Sequence, residues 1–290
     1  MKNTLLVSSK LWTFVTMSSI WQRGRIYLLT LIIYRDILRV EDLESVLRQF
    51  KPDVVIHTAG IVPPLIERYH RRIENEVQQV NVEGTRNVLN ATRIAGIGAF
   101  VLRQRKLFLR LIPLLSQHVS FDHQLIPPIH ACIAKGETPF IIGSADNLWD
   151  ITYVSNVADA HVLAAENLLL STPTAAGKII FIQNNTPITF RDFSLAIWKE
   201  FGHIPPYEVT IPDGLAWLAG LLAEVASWLT GSREHTLSRG SANDACAVRY
   251  ASGEKAKRIL GYEARVDLEE GIRLSCEEYK RRLEIREKQE

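Results

Sequence analysis

Lys51 to Ala59 reads KPDVVIHTA. Pro52 has no N–H to offer a helix and closes whatever helix precedes it. Val54, Val55 and Ile56 then form a short unbroken apolar run, the pattern of a parallel strand covered on both faces. Upstream, Leu43, Val46, Leu47 and Phe50 fall on one face of an amphipathic helix from Glu41 to Phe50. Glu41, Asp42 and Glu44 sit in its first turn, where they complement the helix dipole. Downstream, NVEGT at Asn81 to Thr85 lies in a second predicted helix, from about Asn75 to Ala95, that buries Val77, Val80, Gly84, Val88 and Ala91. Gly96 is placed to stop that helix, and Ala99 to Leu102 is the next strand. Helix, strand, helix, strand at this spacing is the grammar of an α/β, doubly wound parallel sheet.

The chain's 290 residues are enough for one large α/β domain or for a core with a smaller lobe. With 34 basic and 32 acidic residues the net charge is +2, so no global field draws it to nucleic acid. The cluster Arg103, Arg105, Lys106 and Arg110 reads as a solvated run. Cys132, Cys246 and Cys276 lie far apart with no His at ligand spacing, which argues against a metal site and against a disulfide framework. From Thr4 to Trp21 the chain is rich in apolar and hydroxyl residues, but Lys10 interrupts it and no small-residue cleavage site follows. Tyr27 to Tyr34, YLLTLIIY, is far too short to span a bilayer and reads as a core strand.

Order resumes after Leu102 with Phe140 to Ile142, Gly143, and a strand from Ile151 to Val154. A helix from Ser155 to about Leu169 carries Val157, His161, Ala164 and Leu168 along one stripe. Gly177 to Asn184, GKIIFIQN, reads as another buried strand, and Phe190 to Phe201 as a helix with Phe193, Ile197 and Trp198 inward. Pro205 and Pro206 make a stiff break. The expectation is a core of residues 1–205 and a small, mostly helical C-terminal lobe of residues 206–290. Within that lobe, Leu215 to Leu229 has Glu224 as its only charge and two tryptophans, Trp217 and Trp228. It is either a helix in contact with a membrane or one buried between lobes.

PDVVIHTAG, NVEGTRNVLNAT, DITYVSNVADAHVLAAENL and KAKRILGYEARVDLEEGI, in this order, resemble extended short-chain dehydrogenases. More narrowly they resemble the 3β-hydroxysteroid dehydrogenase group and its sterol-4α-carboxylate 3-dehydrogenase relatives. The resemblance covers roughly Arg35 to Phe100 and Leu125 to Tyr279. It implies a Rossmann-type sheet, NAD or NADP as cofactor, and oxidation of a 3β-hydroxyl on a sterol or steroid. It also implies a place at the endoplasmic reticulum membrane or in the cytoplasm, and pairing of two copies through helices near the active site. His57, Thr58, Ala59 and Gly60 match the loop that passes close to the dinucleotide, where small residues let the backbone approach. Read without the resemblance, Ala59 and Gly60 only finish a strand-to-helix turn. Asp36 and Ile37 match the pair that meets the adenine ring, although an Asp before a helix is also a cap. Asn81 matches a helix Asn that shapes the proton-relay region, or it is a surface Asn.

Two expected parts are missing. A dinucleotide fold opens with strand, glycine-rich turn and helix, but Gly24 is the only glycine between Met1 and Asp36. The family's general acid or base is a Tyr whose phenol is tuned by a Lys four residues on, and no Tyr here has that Lys. After Leu102 the chain reads RQRKLFLRLIPLLSQHVSFDHQ, whose Ser116, His118 and Ser120 read as a loop rather than a nucleophile pair. The catalytic residues are therefore unassigned. Both losses have sharp edges, like those of absent coding segments; the alternative is a homologue that binds a lipid or partner without turnover. On the substrate side, sugar-nucleotide relatives place an Arg before the Asp of the DITYV phrase, and this chain has Trp149 there. Trp149 and Tyr153 are the candidate wall for a flat apolar ligand, Trp149 being alternatively a core aromatic.

Overall fold

The computed structural model describes residues 36–61, 74–102, 125–225, 243 and 246–288, and the backbone of 2–8, 13–22, 25–33, 117–118 and 226–230. Ser116, Ser120 and the basic cluster from Arg103 to Arg110 lie outside the described residues. The main sheet has five strands, β1 (Lys2–Ser8), β2 (Thr13–Gln22), β3 (Arg25–Ile33), β4 (Val54–His57) and β5 (Ala99–Leu102), in the order β3-β2-β1-β4-β5. β1, β4 and β5 run parallel, with Val55 opposite Leu5 on one side and Phe100 on the other. β2 and β3 add antiparallel to β1. Tyr27 to Tyr34 was expected in the core; β3 instead forms the edge of the sheet. The chain from Gln22 to Arg25 is too short for a crossover, so β3 can only pair antiparallel with β2.

Every residue of β4 is buried. Val55 joins Leu43, Val46 and Leu47 of α1 (Val40–Phe50) and Val80 and Val88 on one face. Val54 and Ile56 pack with Ala99 and Ala165 on the other. α1 ends at Lys51, whose left-handed backbone (φ 41°) lets its N–H reach Leu47 O, with Pro52 just beyond. The second helix is one rod in three parts, α2 (Glu74–Gln78), a π-helical turn (Gln79–Gly84) and α3 (Thr85–Ile94). It buries all five residues its periodicity selects, and Gly96 at φ +72° closes it while Ile97 N donates to Thr92 O.

The rest of the chain is built around two further clusters. α4 (Ile126–Lys135) and α6 (Phe190–Glu200) enclose Trp149, Ile151, Phe193 and Ile197 together with Ile272 and Cys276 of α9, whose range is Leu268–Glu287. The Trp198 indole donates to Ile129 O at 2.7 Å and ties α6 to α4. α5 (Val154–Leu168) packs against α8 (Glu254–Leu260) through Val157, Ala160, Ala256 and Leu260. Four short two-residue strands and two three-residue strands complete the frame: β6 (Gln117–His118), β7 (Phe140–Ile142), β8 (Leu148–Trp149), β9 (Ile151–Thr152), β10 (Ile188–Thr189) and β11 (Val209–Ile211). α7 (Asp213–Thr230) follows β11 directly.

Gly177 to Asn184 is not a strand. Its inner residues are buried as expected, Ile182 and Gln183 among them, but side chains take the place of a ladder. Thr152 Oγ1 donates to Ile182 O, and Asn184 N donates to Asp150 Oδ1. The strongest tether is Asn156 on α5, fully buried. Its Nδ2 donates to Asn184 Oδ1 at 3.1 Å and to Val266 O at 2.7 Å, while its Oδ1 accepts from the backbone N of Arg265 and of Val266. One amide thus joins α5, the 182–184 segment and the approach to α9. Asn156→Ala should cost about 3 kcal/mol, since several buried groups lose partners at about 1–3 kcal/mol each; urea unfolding monitored by tryptophan fluorescence measures it.

Candidate functional site

Open α/β sheets bind ligands at the carboxyl edge of their parallel strands, and β4 reaches that edge at His57. There Gly60 and Ile61 are held by Asn81. Asn81 Oδ1 accepts from Ile61 N at 2.7 Å and Asn81 Nδ2 donates to Ile61 O at 2.8 Å, so one side chain imitates a strand partner. A Cβ on Gly60 would stand 3.0 Å from Asn81 Oδ1, so any larger residue would push on the amide that holds the loop. Asn81 lies inside the π-helical turn, a feature frequent at functional sites.

The segment before α1 comes to the same place. Ile37 is buried against Gly84, where a Cβ would meet Ile37 Cδ1 at 2.5 Å, and Asn87 Nδ2 donates to Ile37 O. Asp36 Oδ1 accepts from Leu38 N at 2.7 Å and its carbonyl from Arg39 N, a turn that precedes α1 without capping it. Asp36, Ile37, Gly60 and Asn81 are thus brought to one side of the sheet by the π turn and α3. His57 lies beneath, its Nε2 2.9 Å from Thr85 Oγ1 and its Nδ1 with no hydrogen-bond partner among the described residues. Thr58 and Ala59 follow it, Ala59 in the same core cluster as Val55.

Trp149 and Tyr153 belong to the other half. The Trp149 ring lies between Phe190, at 4.5 Å between centroids, and the Arg249 guanidinium, 4.5 Å above it. Its Nε1 donates to Ala247 O. The indole is buried among these groups. Tyr153 is half-buried on a crevice lined by Ile151, Asn184, Asp267, Leu268 and Gly271, and this crevice is closed to a water molecule. Asp150 between them is buried, and burial raises its carboxyl pKa against the lowering effect of the Asn184 and Asn185 amides. His161 is a satisfied helix histidine, its Nδ1 on Val157 O.

Thr85, Asn87, Asn156 and Arg249 take part in these arrangements without having been singled out in the sequence. Thr85 closes the NVEGT phrase, yet nothing local marks it as the partner of a histidine 28 residues away. At the β4 exit the backbone of Gly60 and Ile61 is held close to Asn81, the one part of the expected dinucleotide surface that the chain retains. At its pyrophosphate end the fit is absent, because β1 ends at Ser8 and the next element, β2, begins at Thr13 and runs antiparallel, where a glycine turn and helix would be needed.

The sequence model of the 3-beta hydroxysteroid dehydrogenase/isomerase family matches residues 18–104 and 120–213. The sterol-4-alpha-carboxylate 3-dehydrogenase (decarboxylating) of Schizosaccharomyces pombe is 32% identical, over 82% of this chain and 81% of that protein. Its Saccharomyces cerevisiae counterpart is 31% identical, over 82% and 79%. Among solved structures, the epimerase Mth375 of Methanothermobacter thermautotrophicus superposes with a TM-score of 0.60 at 17% identity, covering 88% of this chain and 80% of that one. The Bordetella bronchiseptica enzyme WbmG, solved with NAD and UDP, gives 0.59 at 15% identity over 86% and 80%. At such identities the structures speak for the fold alone.

Burial pushes the His57 imidazole down from 6.5 to about 4. Between those values the unfolded chain takes up a proton that the native chain refuses, so this contribution is full above about pH 6.5 and is lost as pH falls toward 4. The shift corresponds to about 3 kcal/mol. Unfolding free energy should drop by about 2 kcal/mol from pH 7.5 to pH 5 through this residue. His57→Phe should flatten that part of the profile, separating it from His130, whose imidazole burial also lowers; urea titrations of both chains at the two pH values decide it.

Proposed function

Because the chain belongs to the 3-beta hydroxysteroid dehydrogenase/isomerase family, we propose that it serves NAD(P)-dependent oxidation of a 3β-hydroxyl on a sterol or steroid, a step of sterol biosynthesis. The observation that carries this reading is the loop pinned by Asn81 at the carboxyl edge of a parallel strand. The names of the fungal relatives, sterol-4-alpha-carboxylate 3-dehydrogenases, support it further. The nicotinamide, when bound, accepts the hydride from C3 of the sterol. Thr58, Ala59 and Gly60 lay their backbone against the dinucleotide, Asn81 holds them there, and Asp36 and Ile37 border the adenine. A substrate with a 4-carboxylate becomes a β-keto acid on oxidation and loses that carboxyl readily. Residues 1–205 serve as the dinucleotide-binding core and 206–290 as the substrate lobe. Tyr153 stands on the substrate side, and Trp149, covered by Phe190 and Arg249, supports the wall from behind.

A second reading, a homologue that binds these ligands without turnover, is favoured by the sequence itself, in which no Tyr has a Lys four residues on. Loss of a general acid or base costs about 10² to 10⁴ in rate. The purified chain, given NAD⁺ and a 3β-hydroxysterol, is expected to produce no NADH above a heat-killed control. Steady NADH production would restore the catalytic reading in full, and failure of equilibrium dialysis to detect either ligand bound would sink both.

The same reading puts α7 against the surface of the endoplasmic reticulum membrane. Leu215, Trp217, Leu218, Leu222 and Val225 all face outward on it, an apolar stripe with an interfacial Trp, which speaks against a helix buried between lobes. No helix among the described residues is long and apolar enough to cross a membrane. Pairing of two copies through helices beside the site belongs to this reading as well. Leu218→Glu with Leu222→Glu should abolish flotation with phosphatidylcholine liposomes; if the wild-type chain does not float, the membrane assignment fails.

A further inference from the structure

β4 carries one polar side chain, His57, and buries it completely. Alternation along the strand puts His57 on the face of Val55, the face covered by α1 and α3, and there its Nε2 meets Thr85 Oγ1 at 2.9 Å. Four residues further along the same chain, Ile61 is gripped by Asn81. Two pins therefore join the β4 exit to the helix, His57 to Thr85 and Ile61 to Asn81, in antiparallel sense. The two helix residues bracket most of the π-helical turn, Asn81 within it and Thr85 at its end. A π turn carries one extra residue, which rotates the helix on its N-terminal side by about 100° relative to the helix on its C-terminal side. The direction in which Asn81 points thus depends on the rotation at which α3 is fixed, and the Thr85 bond to the buried imidazole is a polar contact that fixes it. An imidazole with a single partnered nitrogen is costly to leave with none, so this contact resists slipping.

We propose that Thr85 is a positioning residue for the β4 loop: its bond to His57 sets the helix rotation that aims Asn81 at Ile61. The link to dinucleotide binding rests on the function proposed above; the positioning itself does not. Thr85→Val keeps the shape and removes the bond, and Thr85→Ser keeps the hydroxyl. In the ligand-free chain, exchange of the Ile61 amide hydrogen, followed by NMR, should quicken roughly tenfold in Thr85→Val, the worth of one net hydrogen bond. It should stay near wild type in Thr85→Ser. Val46→Ala, a core variant in the cluster that also holds Ala59 but outside both hydrogen-bond pins, calibrates general loss of stability. If Ile61 exchange rises no more in Thr85→Val than in Val46→Ala at equal loss of unfolding midpoint, Thr85 is only structural and the proposal falls. His57→Phe removes the same bond from the strand side and should reproduce the selective effect; a normal Ile61 rate in it also refutes the proposal. NADH titration by fluorescence forms the separate arm, with a roughly tenfold weaker Kd expected for Thr85→Val. A wild-type chain that binds no NADH while Ile61 exchange behaves as stated would refute the dinucleotide reading and leave the positioning role standing.

Discussion

Burial of β4 on both faces is the constraint that organises this protein. A strand of four residues with no exposed side needs a layer above and a layer below, and needs parallel neighbours to take up its backbone hydrogen bonds. α1 and α3 supply one layer, α5 the other, and β1 and β5 flank the strand. The same constraint governs the chemistry at its end. His57 follows three apolar residues into the interior, where only a neutral, hydrogen-bonded imidazole is tolerable. Thr85 and burial meet that demand, and the loop that leaves the strand begins from a fixed point.

Beyond the sheet, amides rather than ladders do much of the joining. Asn156, Asn184 and Asn185 connect α5, the 182–185 segment and the residues before α8 and α9, with Asn185 Oδ1 accepting from Gly253 N. An amide offers donors and an acceptor at once without the desolvation cost of a charge, which suits a region where irregular backbone segments meet in the interior. Gly253 has no room for a side chain beside Asn185, a Cβ there falling 2.5 Å from its Oδ1. Asp150, the one carboxylate buried in this region, is held by the Asn184 amide hydrogen, and the same burial that raises its pKa also raises that of the nearby Tyr262 phenol, together with the charge of Asp150.

The two halves of the candidate site therefore differ in character. The loop end of β4 is assembled from hydrogen bonds between a strand exit and a helix. The Trp149 end is a packed core in which the buried Arg249 guanidinium stands 4.5 Å from the centre of the indole, a cation stabilised by the ring. Family membership and the fold are those of the sterol dehydrogenases, while the Tyr and Lys pair of that family is missing from this sequence.

Features legible in the chain alone are local and periodic. The apolar run at Val54 to Ile56, the stripe Leu43, Val46, Leu47, and the five inward positions from Val77 to Ala91 could be read because burial of a strand or helix face repeats at a fixed period. Asn81, Gly60 and Ile37 stand in phrases resembling a known family, and the structure packs Gly60 beside Asn81 and Ile37 against Gly84. Folding in three dimensions settled whatever depends on partners distant in the chain. GKIIFIQN has the composition of a strand, but a strand exists only where a ladder partner lies beside it, and Thr152, Asp150 and Asn156 took that role with side chains. Most of YLLTLIIY forms the strand β3, but its antiparallel pairing follows from a connection to β2 too short for a crossover, and its edge position from the order of the whole sheet. The Thr85 bond to His57 and the cover of Arg249 over Trp149 join residues 28 and 100 positions apart. No period or local propensity encodes such pairs, because their energy arises only once the intervening chain has folded and brought the groups together.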